Sequence, residues 1–265
     1  MNALIKVLGI IAVAIAGFAS ASETGVRLEP APAHRLDAES LQRGARNFVN
    51  YCQSCHGAQL MRYNGLIELG LTETQIKDNL MFGTDKIGST MAASMSKADA
   101  TAWFGAPPPD LSVEARVRGK DWLYSYLVGF YRDEKSSTGW NNLVFPNVGM
   151  PHVLWGLSGP YKLVETEYED EEKAEAGAIA AKGLAFAERL ANGKWVVKTV
   201  AQDTPGKMSQ VEYKAFVADL VNFLDYIAEP SRNERINIGI VVLIYLGLLF
   251  AFAYALKRSY WKDIH

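Results

Sequence analysis

Cysteine is almost missing from this chain: 265 residues contain two, Cys52 and Cys55, three positions apart. A pair that close cannot staple distant segments, so a disulfide framework is excluded. A four-cysteine zinc site is excluded for the same reason. An excess of charge of one sign is missing too. With 27 basic and 29 acidic residues the formal net charge is −2, which gives no global basic field and no basis for a nucleic-acid partner. The imbalance is local. Residues 165–175 read ETEYEDEEKAE, whereas Lys257, Arg258 and Lys262 make the other end basic. No internal repeat is visible.

The apolar residues are concentrated at the two ends. Lys6, the apolar run 7–18 and Ala19-Ser20-Ala21 have the form of a secretory signal peptide over residues 1–21. That run is too short to span a bilayer comfortably. Residues 236–256 carry no charge and approach the ~20 apolar residues of a spanning helix. Lys257, Arg258 and Lys262 follow it, with Tyr254, Tyr260 and Trp261 placed for the interface. Arg232 and Arg235 at the other end are offset by Glu229 and Glu234. The bias favours an exported body over residues 22–231, one crossing at 236–256 and a cytoplasmic tail at 257–265. The expected location is a bacterial inner membrane, with the body in the periplasm.

Between the ends the pattern is mainly helical. Leu41, Ala45, Phe48 and Val49 recur at helical spacing and predict a helix over 38–51. Gly44 falls on the same face, a cost unless something packs close. A weaker pattern predicts a helix over 89–103, ended by the rigid Gly105-Ala106-Pro107-Pro108-Pro109-Asp110. Asp121 is a plausible N-cap for a third helix containing Trp122, Tyr124, Tyr126 and Leu127. Residues 133–160 are rich in Asn, Gly and Pro and read as irregular, and the acidic run after them reads as a solvated loop, with steering of a basic partner by long-range attraction as the other reading. Asn192-Gly193 joins two strands, 185–190 and 194–200, in a small β-hairpin. Ser209-x-x-Glu212 is a capping box opening the last soluble helix, closed by Pro230.

The chemistry sits at Cys52-Gln53-Ser54-Cys55-His56. C-x-x-C-H is the attachment motif of haem c. Two thiols add across two vinyl groups, and the adjacent imidazole of His56 reaches the iron. A thiol–disulfide exchange site also uses C-x-x-C, but it opens a helix, whereas this motif follows one. Candidates for a second axial ligand are His34, His152 and the methionines 61, 81, 91, 95, 150 and 208. Met91 and Met95 fit helix packing. Met150 sits in Pro146-Asn147-Val148-Gly149-Met150-Pro151, a loop able to present sulfur, and thioether ligation raises the reduction potential. His152 is its main rival, read as a polar residue beside the cleft.

These elements together resemble the cytochrome c1 family along nearly the whole chain. The resemblance rests on the helix leading into CQSCH, Tyr63, Pro108-Pro109-Asp110-Leu111-Ser112 and Asp121-Trp122-Leu123-Tyr124-Ser125-Tyr126-Leu127. It continues through Gly149-Met150, Met208-Ser209-Gln210-Val211, Ala228-Glu229-Pro230 and the anchor followed by Lys257-Arg258-x-x-Trp261. It implies a cytochrome c-like haem domain with loop insertions and a small β-hairpin, plus one C-terminal transmembrane helix. One haem c would be bound through Cys52 and Cys55, with His56 and Met150 on the iron. It also implies contact between the first and last soluble helices at Gly44 and Phe48, and a haem edge lined by the Pro108-Pro109 loop. Relatives commonly carry an arginine where this chain has Ala100-Thr101-Ala102-Trp103, which leaves Arg116 as a candidate propionate partner and Trp103 as a candidate haem shield. Residues 161–204 match the family poorly. The implied partners are cytochrome b, a Rieske iron–sulfur protein as donor, soluble cytochrome c as acceptor, and membrane lipid. The role is electron transfer with no bond-making chemistry of its own. The alternatives are a tethered cytochrome c of a terminal oxidase or dehydrogenase, and a membrane-tethered thiol oxidoreductase.

Overall fold

The computed structural model describes residues 26–32, 37–181 and 183–262. The expected signal peptide and His34 lie outside the described residues. The first helix, α1 (Ala38–Tyr51), forms where the spacing predicts it, and the Asp37 side chain caps it by accepting from Glu39 N–H. Strand β1 (Ala58–Arg62) and a 3-10 helix (Tyr63–Leu69) follow. Helix α2 (Glu73–Leu80) comes next, opened by a Thr72–Gln75 capping box.

The predicted helix over 89–103 is only half there. Thr90–Met91 form β2, antiparallel to β1, and helix α3 (Lys97–Phe104) starts at a Ser96 cap. The reason is local. The Ser96 side chain accepts from Asp99 N–H, a capping signal that stops a helix from extending backwards. Met91 is fully buried from its strand, and Met95 is half-buried outside any helix.

Helices α4 (Glu114–Arg118) and α5 (Lys120–Val128) follow. Asp121 is not the cap of α5: its carboxylate accepts from Ala31 N–H at 2.8 Å, pinning the N-terminal segment. Strands β3 (Phe130–Arg132) and β4 (Trp140–Asn142) then pair antiparallel. Beyond the one-turn helix α6 (Trp155–Ser158) comes β5 (Tyr161–Tyr168). Helix α7 (Glu171–Ala180) leads to β6 (Ala185–Arg189) and β7 (Trp195–Gln202). The sheet order is β5-β7-β6. The β6–β7 hairpin is the predicted one, with Gly193 at φ +87° in its turn, and β5 adds a third strand. The acidic run is therefore ordered rather than a loop: its first part is β5 and its last part is α7. Ala174 and Ala178 of α7 bury against Ala185 and Val197 of the sheet, which small residues permit at close range.

Helix α8 (Gln210–Ala228) opens with the predicted Ser209–Glu212 capping box. Its buried residues include Val217, Leu220, Val221, Phe223, Leu224 and Ile227, and it crosses α1 within the main core. A Cβ on Gly44 would strike the Asp219 carbonyl oxygen and lie 2.6 Å from the Phe223 Cβ. Only glycine fits that crossing. Asp219 also accepts from Ser40 Oγ and Arg43 Nε, each at 2.6 Å.

The last helix, α9 (Arg232–Tyr260), has no buried residue. Among the described residues it is the one helix long and apolar enough to cross a membrane. At 29 residues it extends about 43 Å, more than a hydrocarbon core needs.

Candidate functional site

The end of α1 builds the site. Cys52 N–H and Gln53 N–H both donate to Phe48 C=O, and Cys55 N–H and His56 N–H both donate to Cys52 C=O. The motif is thus a pair of tight turns continuing the helix end. Gln53, buried, braces it from behind by donating to Tyr63 Oη at 2.7 Å and Ala92 C=O at 3.1 Å. Ser94 N–H and Met95 N–H close the brace on the carbonyls of Gln53 and Ser54.

The proline loop is fastened to the strand that follows the motif. Leu111 N–H donates to Gly57 C=O at 2.7 Å. The Asp110 carboxylate accepts from Gln59 N–H and from Ser112 N–H, each at 2.9 Å. Ser112 Oγ accepts from Leu60 N–H at 3.0 Å. A Cβ on Gly57 would approach Asp110 Oδ2 to 2.8 Å and push on the lacing carboxylate. This lacing brings the Pro109 carbonyl to 2.8 Å from His56 Nδ1. A carbonyl only accepts, so Nδ1 carries the proton and Nε2 keeps its lone pair for a metal. Burial lowers the His56 pKa, opposed by the Pro109 hydrogen bond, so the neutral ligating form is favoured.

Cys52, Cys55 and His56 open onto one cavity of about 270 Å³, which Met150 also lines. The rest of its wall includes Tyr51, Phe104, Pro107, Pro108, Pro109 and Val153. All four predicted site residues are brought together. Two thiols, one imidazole with a free Nε2 and one thioether on an apolar wall suit an iron porphyrin with two vinyl groups. They suit thiol exchange poorly. Burial, reinforced by Cys55, pushes the Cys52 thiol up to about 12, away from the thiolate that such chemistry needs.

Met150 is delivered by a segment that looked irregular but is held by buried asparagines. Asn142 Oδ1 accepts from Val144 N–H and Phe145 N–H, and Asn141 Oδ1 accepts from Asn147 N–H at 2.8 Å. Asn147 takes a left-handed φ of +61°, which asparagine tolerates. Tyr126 Oη–H donates to Met150 Sδ at 3.4 Å.

The rival ligand faces the other way. His152 is 3 % exposed, stacks on Phe130 at 4.8 Å and meets Ser158 Oγ at 3.0 Å. Ser158 Oγ–H donates to Gly159 C=O at 2.7 Å, so its oxygen accepts from His152 Nε2–H. Burial and the Arg132 guanidinium push the imidazole down to about 3, and it stays neutral. Met61, Met81 and Met91 are buried in the core, and Met208 packs against it.

Two further candidates lie outside the cavity wall. Trp103 is 68 % exposed and is not in the cavity wall; its neighbour Phe104 is. Arg116 lies 3.8 Å from Glu229 and is not in the wall either. Sequence reading missed Phe104, Val153 and the Asp110 lacing. Only the hydrophobic character of residues flanking the proline and methionine loops hinted at the first two.

The chain matches the cytochrome c1 family over residues 29–87 and 83–264. It is 43% identical over 257 residues to a protein of Nitrosomonas europaea named ammonia monooxygenase gamma subunit, covering 97% of each chain. It is also 43% identical over 246 residues to cytochrome c1 of Allochromatium vinosum, covering 92% of this chain and 93% of that one. Cytochrome c1 of Rhodospirillum rubrum is 29% identical over 276 residues, covering 95% and 93%. A laced C-x-x-C-H cavity, an apolar C-terminal helix and similarity along nearly the whole chain agree, and the chain belongs to the cytochrome c1 family.

Proposed function

We propose that this protein is the membrane-anchored mono-haem c electron carrier of a quinol-oxidising cytochrome bc1 complex. The observation that carries the reading is the convergence of Cys52, Cys55, His56 and Met150 on one apolar cavity. The haem supplies one-electron ferric–ferrous chemistry. Cys52 and Cys55 would hold it by thioether bonds, His56 Nε2 and Met150 Sδ would be the atoms offered to the iron, and Pro109 fixes the imidazole through its Nδ1–H. The apolar wall keeps water out and lowers the dielectric, and the thioether favours the ferrous state. No general acid or base is required.

A signal peptide at 1–21 directs residues 22–231 to the periplasm, residues 236–256 anchor them in the inner membrane, and residues 257–265 stay cytoplasmic. Cytochrome b lies alongside, a Rieske iron–sulfur protein delivers the electron, and a soluble cytochrome c removes it.

The test is purification of the complex from native membranes through a tag on this chain, followed by stopped-flow reduction with a quinol. Co-purification of cytochrome b and a Rieske protein is expected, with c-haem reduction abolished when the Rieske cluster is removed. Recovery with a terminal oxidase or a dehydrogenase instead, and reduction without a Rieske protein, would assign the chain to the other tethered class.

A further inference from the structure

Leu60 of β1, Val113 at the start of α4 and Val117 within it are aliphatic side chains left open to solvent, the first and last at 76 % and 72 % exposure. They are neighbours. Leu60 N–H donates to Ser112 Oγ at 3.0 Å, which sets Leu60 beside Val113, and Val117 N–H donates to Val113 C=O at 3.1 Å. One turn apart, the two valines share a face, and Ala115 on the opposite face is buried in the main core.

This patch adjoins the root of the anchor. Arg116, beside Val117, places its guanidinium 3.8 Å from the Glu229 carboxylate. The same carboxylate oxygen takes Arg235 Nη2 at 2.6 Å. Arg235 is the last charged residue before the uncharged run 236–256. One bridge of ion pairs therefore separates the patch from the start of the hydrocarbon, in reach of a headgroup layer about 5–7 Å deep on each side.

We propose that Leu60, Val113 and Val117 rest in the headgroup layer where α9 enters the bilayer, a second membrane contact beside the anchor. This rests on α9 crossing the membrane. The occupant is lipid rather than protein for two reasons. Three aliphatic side chains offer far less than the roughly 800 Å² per partner of a stable protein interface. Arginines beside them suit lipid phosphates, the pairing that interfacial segments use. A second contact limits rocking of the domain about the anchor and holds the cavity at a set height above the lipid.

The test uses the full-length holoprotein in vesicles of phosphatidylcholine and phosphatidylglycerol. A nitroxide label is attached at one introduced thiol in each of Leu60→Cys, Val117→Cys, Ile179→Cys and Leu246→Cys, with Cys52 and Cys55 bound to haem. Ile179 is exposed on α7 and Leu246 lies mid-anchor. The readout is the ratio of collisions with membrane-soluble oxygen to collisions with a water-soluble nickel chelate, from power saturation. Labels at 60 and 117 should give ratios several-fold above that at 179 and below that at 246. Val117→Glu beside the label at 60 should return its ratio to the value at 179; an unmoved ratio means that the label inserts by itself, and overturns the proposal. Ratios at 60 and 117 equal to that at 179, with a high ratio at 246, overturn it and leave the anchor standing. A ratio at 246 no higher than at 179 overturns the anchor and the proposal together. In the intact complex in native membranes the ratios at 60 and 117 should persist. Loss of both collision reagents there would show that a protein subunit covers the face, which also overturns the proposal.

Discussion

Gly44 of α1 faces the backbone of Asp219 and the Cβ of Phe223 in α8, with no room for a methyl group between them. The crossing fixes how α1 lies against α8, and Cys52 caps the end of that helix. Gly44→Ala should destabilise the soluble domain by about 3 kcal/mol, the upper range for overpacking a tight core contact. Denaturant unfolding of the haem domain checks this. A change below about 0.5 kcal/mol, within the range of ordinary surface substitutions, would contradict the close crossing.

Asp110 ties the proline loop to the motif strand by accepting from Gln59 N–H, and holds the loop's own turn by accepting from Ser112 N–H. Hydrogen bonds to a charged acceptor contribute about 1.5–3 kcal/mol each, and less where water competes. Asp110→Ala should lower stability by about 2 kcal/mol and loosen the Pro109–His56 contact. The second effect is read as faster binding of carbon monoxide to the reduced protein. Unchanged carbon monoxide kinetics would show that the lacing does not control the cavity.

His152 is a core residue in this account. His152→Ala should cost about 3 kcal/mol through the lost ring stack and a weakened Ser158 network. The natural axial ligation should remain, as read from the ferric absorption spectrum. A spectrum that changes ligand class would instead place His152 on the iron.

The acidic segment is partly neutralised where it stands. Lys198 lies 2.6 Å from Glu188 and 3.9 Å from Glu165, and Lys194 lies 3.4 Å from Glu167 and 3.6 Å from Glu169. Exposed pairs like these contribute little to stability, but they reduce the local field. Glu171→Gln, Glu172→Gln and Glu175→Gln together should leave the salt dependence of soluble-acceptor reduction unchanged. A flatter dependence in the triple variant would show that α7 steers the acceptor.

The helices with strong local signals were legible in the sequence. The 41, 45, 48, 49 face defined α1, and Ser209–Glu212 defined the start of α8, because periodicity and capping are short-range; the Asp37 cap of α1 went unread. Gly44 was readable as a close approach, since nothing else justifies a glycine on a buried helical face. Residues 89–96 were not legible: Thr90 and Met91 join a strand whose partner, β1, lies about thirty positions earlier, and periodicity does not register long-range pairing. The sheet around residues 161–202 was half visible. Asn192-Gly193 announced the hairpin, while the glutamates of β5 concealed a strand. At the site the motif named three residues, and the loop placement of Met150 named the fourth. The asparagine network behind it was hidden, because buried side-chain-to-backbone bonds leave no periodic trace.

Covalent haem at Cys52 and Cys55 is the central claim, and an alkaline pyridine haemochrome spectrum tests it most directly. The protein is expressed in a host able to export it and attach haem c, then washed with acid acetone. The natural chain should retain a c-type α band, and Cys55→Ala should retain haem with the band displaced toward that of a single thioether. Loss of all haem from the washed natural protein would contradict the account.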